Sequence, residues 1–205
     1  MTPPIVLASS SIYRKEILAR IIPDFVSKSP DIDESPKPGE QPQDLAQRLS
    51  LEKANAISTD FPRSLVIGSD QVAYLDGTIM GKPINHDHAV DQLQRCSGKT
   101  VLLYTGLALV NTLTGNTQVG VDVYAVQFRT LSLSLIETYL NADQPYDCCG
   151  SLKTEGLGVT LLEKMTGDDP NSLIGLPLIR LVTMLSKEGA HPLMGARKTA
   201  APDVA

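Results

Sequence analysis

The sequence predicts an α/β fold with a mixed central sheet flanked by helices. Three observations predict it. An apolar run at the start, Ile5-Val6-Leu7-Ala8, passes through serines into a helical pattern. Further strand-like runs then alternate with segments of helical period. The middle third is richer in β patterns, with long candidate strands separated by turn residues rather than by helices.

Each element has a local reason. Ile5 to Ala8 reads as a strand, Ser9-Ser10-Ser11 suits a turn and an N-cap, and Ile17, Leu18, Ile21 and Ile22 give the first helix an apolar face. Pro30 to Gln43 is a loop rich in Pro, Asp and Glu, and a helical pattern follows through Leu45, Leu49, Ala54 and Ile57. Leu65-Val66-Ile67-Gly68 predicts a buried strand ending in Ser69-Asp70-Gln71. Alternation continues through Val72 and Tyr74 to a hairpin signal at Asp76-Gly77 and returns through Ile79. Asn85 is placed to cap a helix carrying Val90, Leu93 and Cys96 and closed by Gly98. Val101 to Val110 and Gln118 to Phe128 are strand candidates, and Ser134 with Glu137 spells a capping box for a helix through Leu140. Gly150 to Met165 reads as loop, then strand. Asp168-Asp169-Pro170 precedes a last helical region with Leu178, Leu181, Val182 and Leu185 on one face and Gly189 as its stop. From Ala196 onward there is no periodicity, and a frayed end is expected.

Composition narrows the function. A net charge of −5 over 205 residues disfavours sequence-independent nucleic-acid binding, which needs a basic face. No apolar stretch reaches transmembrane length, and the N-terminal residues lack the layout of a signal peptide, so no membrane partner is expected. The odd set Cys96, Cys148 and Cys149 matches neither a disulfide framework nor a zinc spacing, and a reducing, cytoplasmic setting follows as the expectation. Cys148-Cys149 has no adjacent base or cation pattern that would mark a thiolate, so packing is the expected role. His86 and His88, two apart, diverge on a helix and read as surface residues near its start.

The chemistry-bearing residues are charged. Arg14 and Lys15 sit where a helix N-terminus, with its partial positive charge, disfavours cations. Two readings fit: a solvated surface pair, or cations gathered at an anion site. Asp70, after an apolar strand, is the best candidate catalytic carboxylate, with a turn residue as the alternative. Glu34 lies in the acidic loop Asp31-Ile32-Asp33-Glu34, and Lys53 and Lys82 flank Asp70 in sequence. Two carboxylates can hold a hard divalent cation and lysines can neutralise a polyphosphate, whereas each alone also fits a solvated charge. Gly175-Leu176-Pro177 is too short for a phosphate loop and reads as a helix-entry turn.

In order along the chain, Leu7-Ala8-Ser9-Ser10-Ser11-Ile12-Tyr13-Arg14-Lys15, Asp33-Glu34, Glu52-Lys53-Ala54, Gly68-Ser69-Asp70-Gln71-Val72, Gly81-Lys82-Pro83 and Gly175-Leu176-Pro177-Leu178 resemble the Maf-type nucleoside triphosphate pyrophosphatases. Tyr13, the triplet Ser69-Asp70-Gln71 and Ser151-Leu152-Lys153-Thr154-Glu155-Gly156 are most similar to the subgroup acting on 7-methyl-GTP. Ile12 stands where the family usually has Pro, and Tyr13 where that subgroup prefers Trp, a stronger stacking surface. The resemblance implies one domain over residues 1–195, two-lobed with a cleft between the lobes, leaving 196–205 as a tail. It implies a hydrolase that cleaves between the α- and β-phosphates, releasing a monophosphate and pyrophosphate, with Mg²⁺ or Mn²⁺ as cofactor and a homodimer as the assembly. Asp70 falls on the proton acceptor, and Ser9, Arg14, Lys53 and Lys82 on phosphate-contacting positions. Glu34 and Asp70 fall near the metal, and Tyr13, Gln71 and Glu155 on positions of base choice. An aromatic face and an acid suit a cationic N7-methylated guanine, whose Watson–Crick edge offers N–H donors. A preference for dTTP, UTP or another modified nucleotide, and a nucleotide-binding regulator of cell division, stay open as alternatives.

Overall fold

In the computed structural model, which describes residues 3–195, three long strands organise the chain: β3 (Leu65–Leu75), β5 (Thr100–Asn111) and β6 (Thr117–Phe128). They pair antiparallel in sequence order. On the outer edge of β3, β1 (Ile5–Ala8) runs parallel and is itself flanked by the parallel β2 (Val26–Lys28). Farther along the same strand, β4 (Thr78–Met80) folds back antiparallel. Its turn places Asp76 and Gly77 at positive φ, as the Asp-Gly signal requires. β7 (Leu162–Thr166) closes the other side of the sheet against β6. The sheet is therefore mixed, as expected.

Period-two alternation assigns the faces of β3. Val66, Gly68, Asp70 and Val72 alternate with Leu65, Ile67, Ser69 and Gln71. The first set faces α2 (Pro42–Ser58), whose buried stripe is Leu45, Ala46, Leu49, Ser50, Lys53, Ala54 and Ile57. Gly68 and Gly106 are what let this helix lie so close. A Cβ at Gly68 would overlap the carbonyl oxygen of Ser50, and one at Gly106 that of Ala46. On the opposite face, Leu65, Ile67, Leu107 and Leu109 pack with α1 (Ile12–Ala19) and α6 (Leu178–Lys187). The far ends of the long strands pack instead with α3 (His86–Cys96) and α4 (Leu133–Asp143) around Phe128, Leu93 and Ile136. The two halves thus have separate cores joined by continuous strands.

Several expectations are corrected. Asp70 does not end a strand; β3 continues unbroken to Leu75, because the apolar run and the following hairpin strand are one element. The capping box at Ser134 does not form. Ser132 caps α4 by accepting from the Leu135 amide, which places Ser134 and Glu137 inside the helix. His86 is not a free surface residue: Nε2 lies 2.8 Å from Glu137 Oε2 and Nδ1 2.9 Å from the Tyr146 hydroxyl, tying α3 to α4. Asn85 caps α3 as expected, and Gly98 and Gly189 take positive φ beyond α3 and α6. Residues 196–205, expected as a frayed tail, lie outside the described residues.

Candidate active site

The cleft opens where the edge of β3 is left uncovered. β1 ends its pairing at Ala8 opposite Gly68, and β4 begins opposite Ala73, so Ser69 to Val72 face outward between them. Ser9, Tyr13, Arg14, Glu34, Lys53, Asp70, Gln71, Lys82 and Glu155 all line this cleft of about 600 Å³, a volume suited to a small organic ligand.

Lys53 is the centre of its charged end. It occupies a core position on the stripe of α2, one helical turn from both Leu49 and Ile57. Its Nζ lies 2.6 Å from Asp70 Oδ1 and 2.9 Å from Glu34 Oε2. Lys53 and Asp70 are almost wholly buried, whereas the Glu34 side chain is 55% exposed. Only one oxygen of Asp70 is taken: Oδ2 has no hydrogen-bond partner among the described residues and is open to the cleft.

The loop carrying Glu34 is held onto α2 by Arg48. Its guanidinium contacts both oxygens of Glu40 at 2.6 and 2.8 Å, Glu52 at 2.9 Å and the Ser35 carbonyl at 3.0 Å. These bonds hold the Glu40 carboxyl down at about 2.

The serine-rich segment performs the predicted turn. Ser9 Oγ accepts from the Ser11 amide, and Ser11 Oγ accepts from the Arg14 amide at the start of α1. Arg14 has no carboxylate partner among the described residues. Its Nε donates to the Gly175 carbonyl at 2.8 Å, which aims the rest of the guanidinium. The same carbonyl lies 2.8 Å from Ser69 Oγ. Gly175 holds φ 107°, a conformation that favours glycine, and a Cβ there would crowd Arg14. The segment Gly175-Leu176-Pro177 is the expected helix entry and also the anchor of Arg14. Lys82 is exposed and unpaired among the described residues. Three cations thus face two carboxylates, an arrangement that takes up phosphate charge.

The other end of the cleft is aromatic and acidic. Tyr13 lines it together with Asp147, Cys148 and Glu155. Burial, reinforced by the Asp147 and Glu155 carboxylates, pushes its phenol well above the ordinary range. Gln71 projects to the opposite sheet face from Asp70. Its amide nitrogen donates to the Ser172 and Leu173 carbonyls at 2.8 and 3.0 Å, and the amide oxygen has no partner among the described residues. Cys148 and Cys149 line the cleft, and Cys149 also packs against the core around Phe128, the packing role expected for it. Burial pushes the Cys148 thiol up to about 12 and raises Cys149 as well, and Cys149 donates to the Gln71 carbonyl. Burial thus disfavours the thiolate at both positions.

Asp147 escapes the sequence reading of the base end, and Lys153 enters it only within a string of residues, with no role of its own. Asp147 follows a turn and carries no periodic signal. Lys153 places its ammonium over the Tyr13 ring, 5.7 Å from the centroid, a pairing across the whole chain that no local pattern reveals.

Residues 4–188 match the family model described as Maf-like protein. The chain belongs to the Maf family. Relatives described as 7-methyl-GTP pyrophosphatase are 52% identical in Methylobacillus flagellatus and 55% in Pseudomonas syringae pv. tomato, each over 91% of this chain and 97% of the relative. One from Nitrosococcus oceani is 52% identical over 94% of this chain and 96% of its own length. Among solved structures, the Staphylococcus aureus Ham1 protein is a distant likeness, with 16% identity and a TM-score of 0.45 over 61% of this chain and 71% of that one. For this Maf protein, the expected order of motifs and the matched region coincide almost end to end.

Proposed function

We propose that this Maf protein hydrolyses 7-methyl-GTP to the monophosphate and pyrophosphate, cleaving between the α- and β-phosphates. One observation carries the reading: residues from distant segments meet in a single cleft with cations and carboxylates at one end and an aromatic ring beside acids at the other. The similar relatives named 7-methyl-GTP pyrophosphatase support the substrate.

The triphosphate lies along Arg14, Lys53 and Lys82, with Ser9 at the turn. Catalysis here is chiefly placement and charge stabilisation, so no covalent nucleophile is needed. Asp70 Oδ2 accepts the proton of the attacking water while Lys53 holds Oδ1, and the cations take up charge developing on the departing pyrophosphate. At the base end, the Tyr13 face attracts the cationic ring, while Glu155 and the Gln71 amide oxygen accept from its N–H groups.

Mg²⁺ or Mn²⁺ belongs to the same reading. Among the described residues no group of three or more His, Cys, Asp or Glu converges. Glu34 and Asp70, bridged by Lys53, are the carboxylates that would hold such an ion, with substrate phosphates and water completing its shell. When bound, such an ion neutralises phosphate charge and lowers the pKa of a coordinated water. A homodimer and a cytoplasmic setting complete the proposal, supported by the family resemblance and by cysteine usage; sedimentation at micromolar concentration tests the first.

The deciding assay is pyrophosphate release from 7-methyl-GTP, GTP, dTTP and UTP with Mg²⁺ and Mn²⁺ compared. The expected result is the highest kcat/KM on 7-methyl-GTP. Tyr13→Ala and Glu155→Gln are expected to erode that preference more than turnover of GTP. Preference for dTTP or UTP, or equal loss on every substrate, would overturn the assignment of the base.

A further inference from the structure

We propose that Lys153 is a specificity-determining residue that sets, through Tyr13, how strongly the cleft favours a cationic base over a neutral one. This rests on the proposed reading of Tyr13 as the stacking surface. The ammonium lies over the Tyr13 ring, 5.7 Å from its centroid, yet Lys153 is not among the residues lining the cleft. Tyr13 itself lines it. Tyr13 is therefore shared: its ring carries the lysine's charge while it lines the space meant for the nucleotide.

The contact is built rather than incidental. The Lys153 amide donates to the hydroxyl of Tyr139, a buried residue, at 2.9 Å. Its carbonyl accepts from the Gly156 and Gly158 amides at 3.3 and 3.0 Å. A Cβ at Gly158 would overlap that carbonyl, and one at Gly156 would meet the Asp143 carboxylate, which itself binds the Leu157 amide. The turn is thus a fixed platform that presents Lys153 to the ring and Glu155 to the cleft.

Two cations held at one ring draw on the same negative π density and repel each other. Lys153 therefore orients Tyr13 but penalises a methylated, positively charged guanine relative to a neutral one. Glu155 and Asp147, on the cleft side, oppose this penalty. The residue acts as a brake on methyl selectivity while keeping the ring in place.

The test is equilibrium titration of Lys153→Met and Lys153→Arg with 7-methyl-GMP and GMP, on the acid side of neutrality where the methylated base keeps its charge. Met keeps an unbranched side chain of similar length and removes the charge. The ratio of the two dissociation constants is expected to move about 2- to 10-fold toward 7-methyl-GMP in the Met variant, and to match the unmodified protein in the Arg variant. An unchanged ratio in Lys153→Met, or a shift toward GMP, overturns the proposal. Absence of 7-methyl-GTP turnover by the unmodified protein would instead refute the substrate reading, because the binding ratio is measured independently of hydrolysis.

Discussion

At the scale of single residues, the site depends on polar groups placed where apolar ones would ordinarily sit. Lys53 interrupts the apolar stripe of α2, and Asp70 interrupts the inward face of β3 between Gly68 and Val72. Each makes the other tolerable, since a buried charge without a partner is strongly destabilising. Asp70→Asn keeps an oxygen for Lys53 but removes the proton acceptor. Pyrophosphate release is expected to fall by about 10²- to 10⁴-fold, while nucleotide binding, measured by calorimetry, changes little. Turnover at the unmodified rate would remove Asp70 from the chemistry.

At the scale of elements, the reach from α2 to β3 is set by glycine. Gly106→Ala forces the helix off the sheet at Ala46, and a stability loss of about 1–3 kcal/mol or more is expected in urea unfolding. Activity should fall alongside, because Lys53 rides on the displaced helix. The loop bearing Glu34 depends on a different device, the Arg48–Glu40 pair. Arg48's hydrogen bonds hold Glu40 at about 2, below its ordinary value of 4.5. The stabilisation from this pair is complete above the ordinary value and is lost as the pH falls through about 2. Glu40→Gln should therefore unfold at lower urea than the parent at neutral pH, with the gap closing toward pH 2. A gap that stays constant with pH would show that the pair contributes no linked stability.

At the scale of the whole molecule, the cleft is closed by segments that only the tertiary fold joins: the start of α1, the Glu34 loop, α2, the edge of β3 and the turns around Asp147 and Glu155. A ligand that touches all of them stabilises the assembled state over the unfolded chain. A non-hydrolysable α,β-methylene analogue of 7-methyl-GTP with Mg²⁺, at about 100 times its dissociation constant, should contribute about 2.7 kcal/mol. That raises the melting temperature by about 5–10 °C. No shift in a thermal scan would contradict a nucleotide site in this cleft.

Much of this was legible in the sequence, for physical reasons. Apolar runs of strand length, the Asn85 cap, the Asp76-Gly77 turn and the stop at Gly98 are local signals, and the elements formed where they stood. Order along the chain also carried the residues of the cleft, since the motifs that resemble the family are short contiguous strings. The tertiary structure decided what depends on distance: that β3 runs on past Asp70, that Ser132 rather than Ser134 caps α4, and that His86 meets Glu137. It also decided that one ammonium bridges Glu34 and Asp70, and that Lys153 comes to rest on Tyr13. Periodicity and capping act within a turn or two of the chain, whereas charge pairing and ring contacts act between side chains brought together only when the sheet and its helices pack.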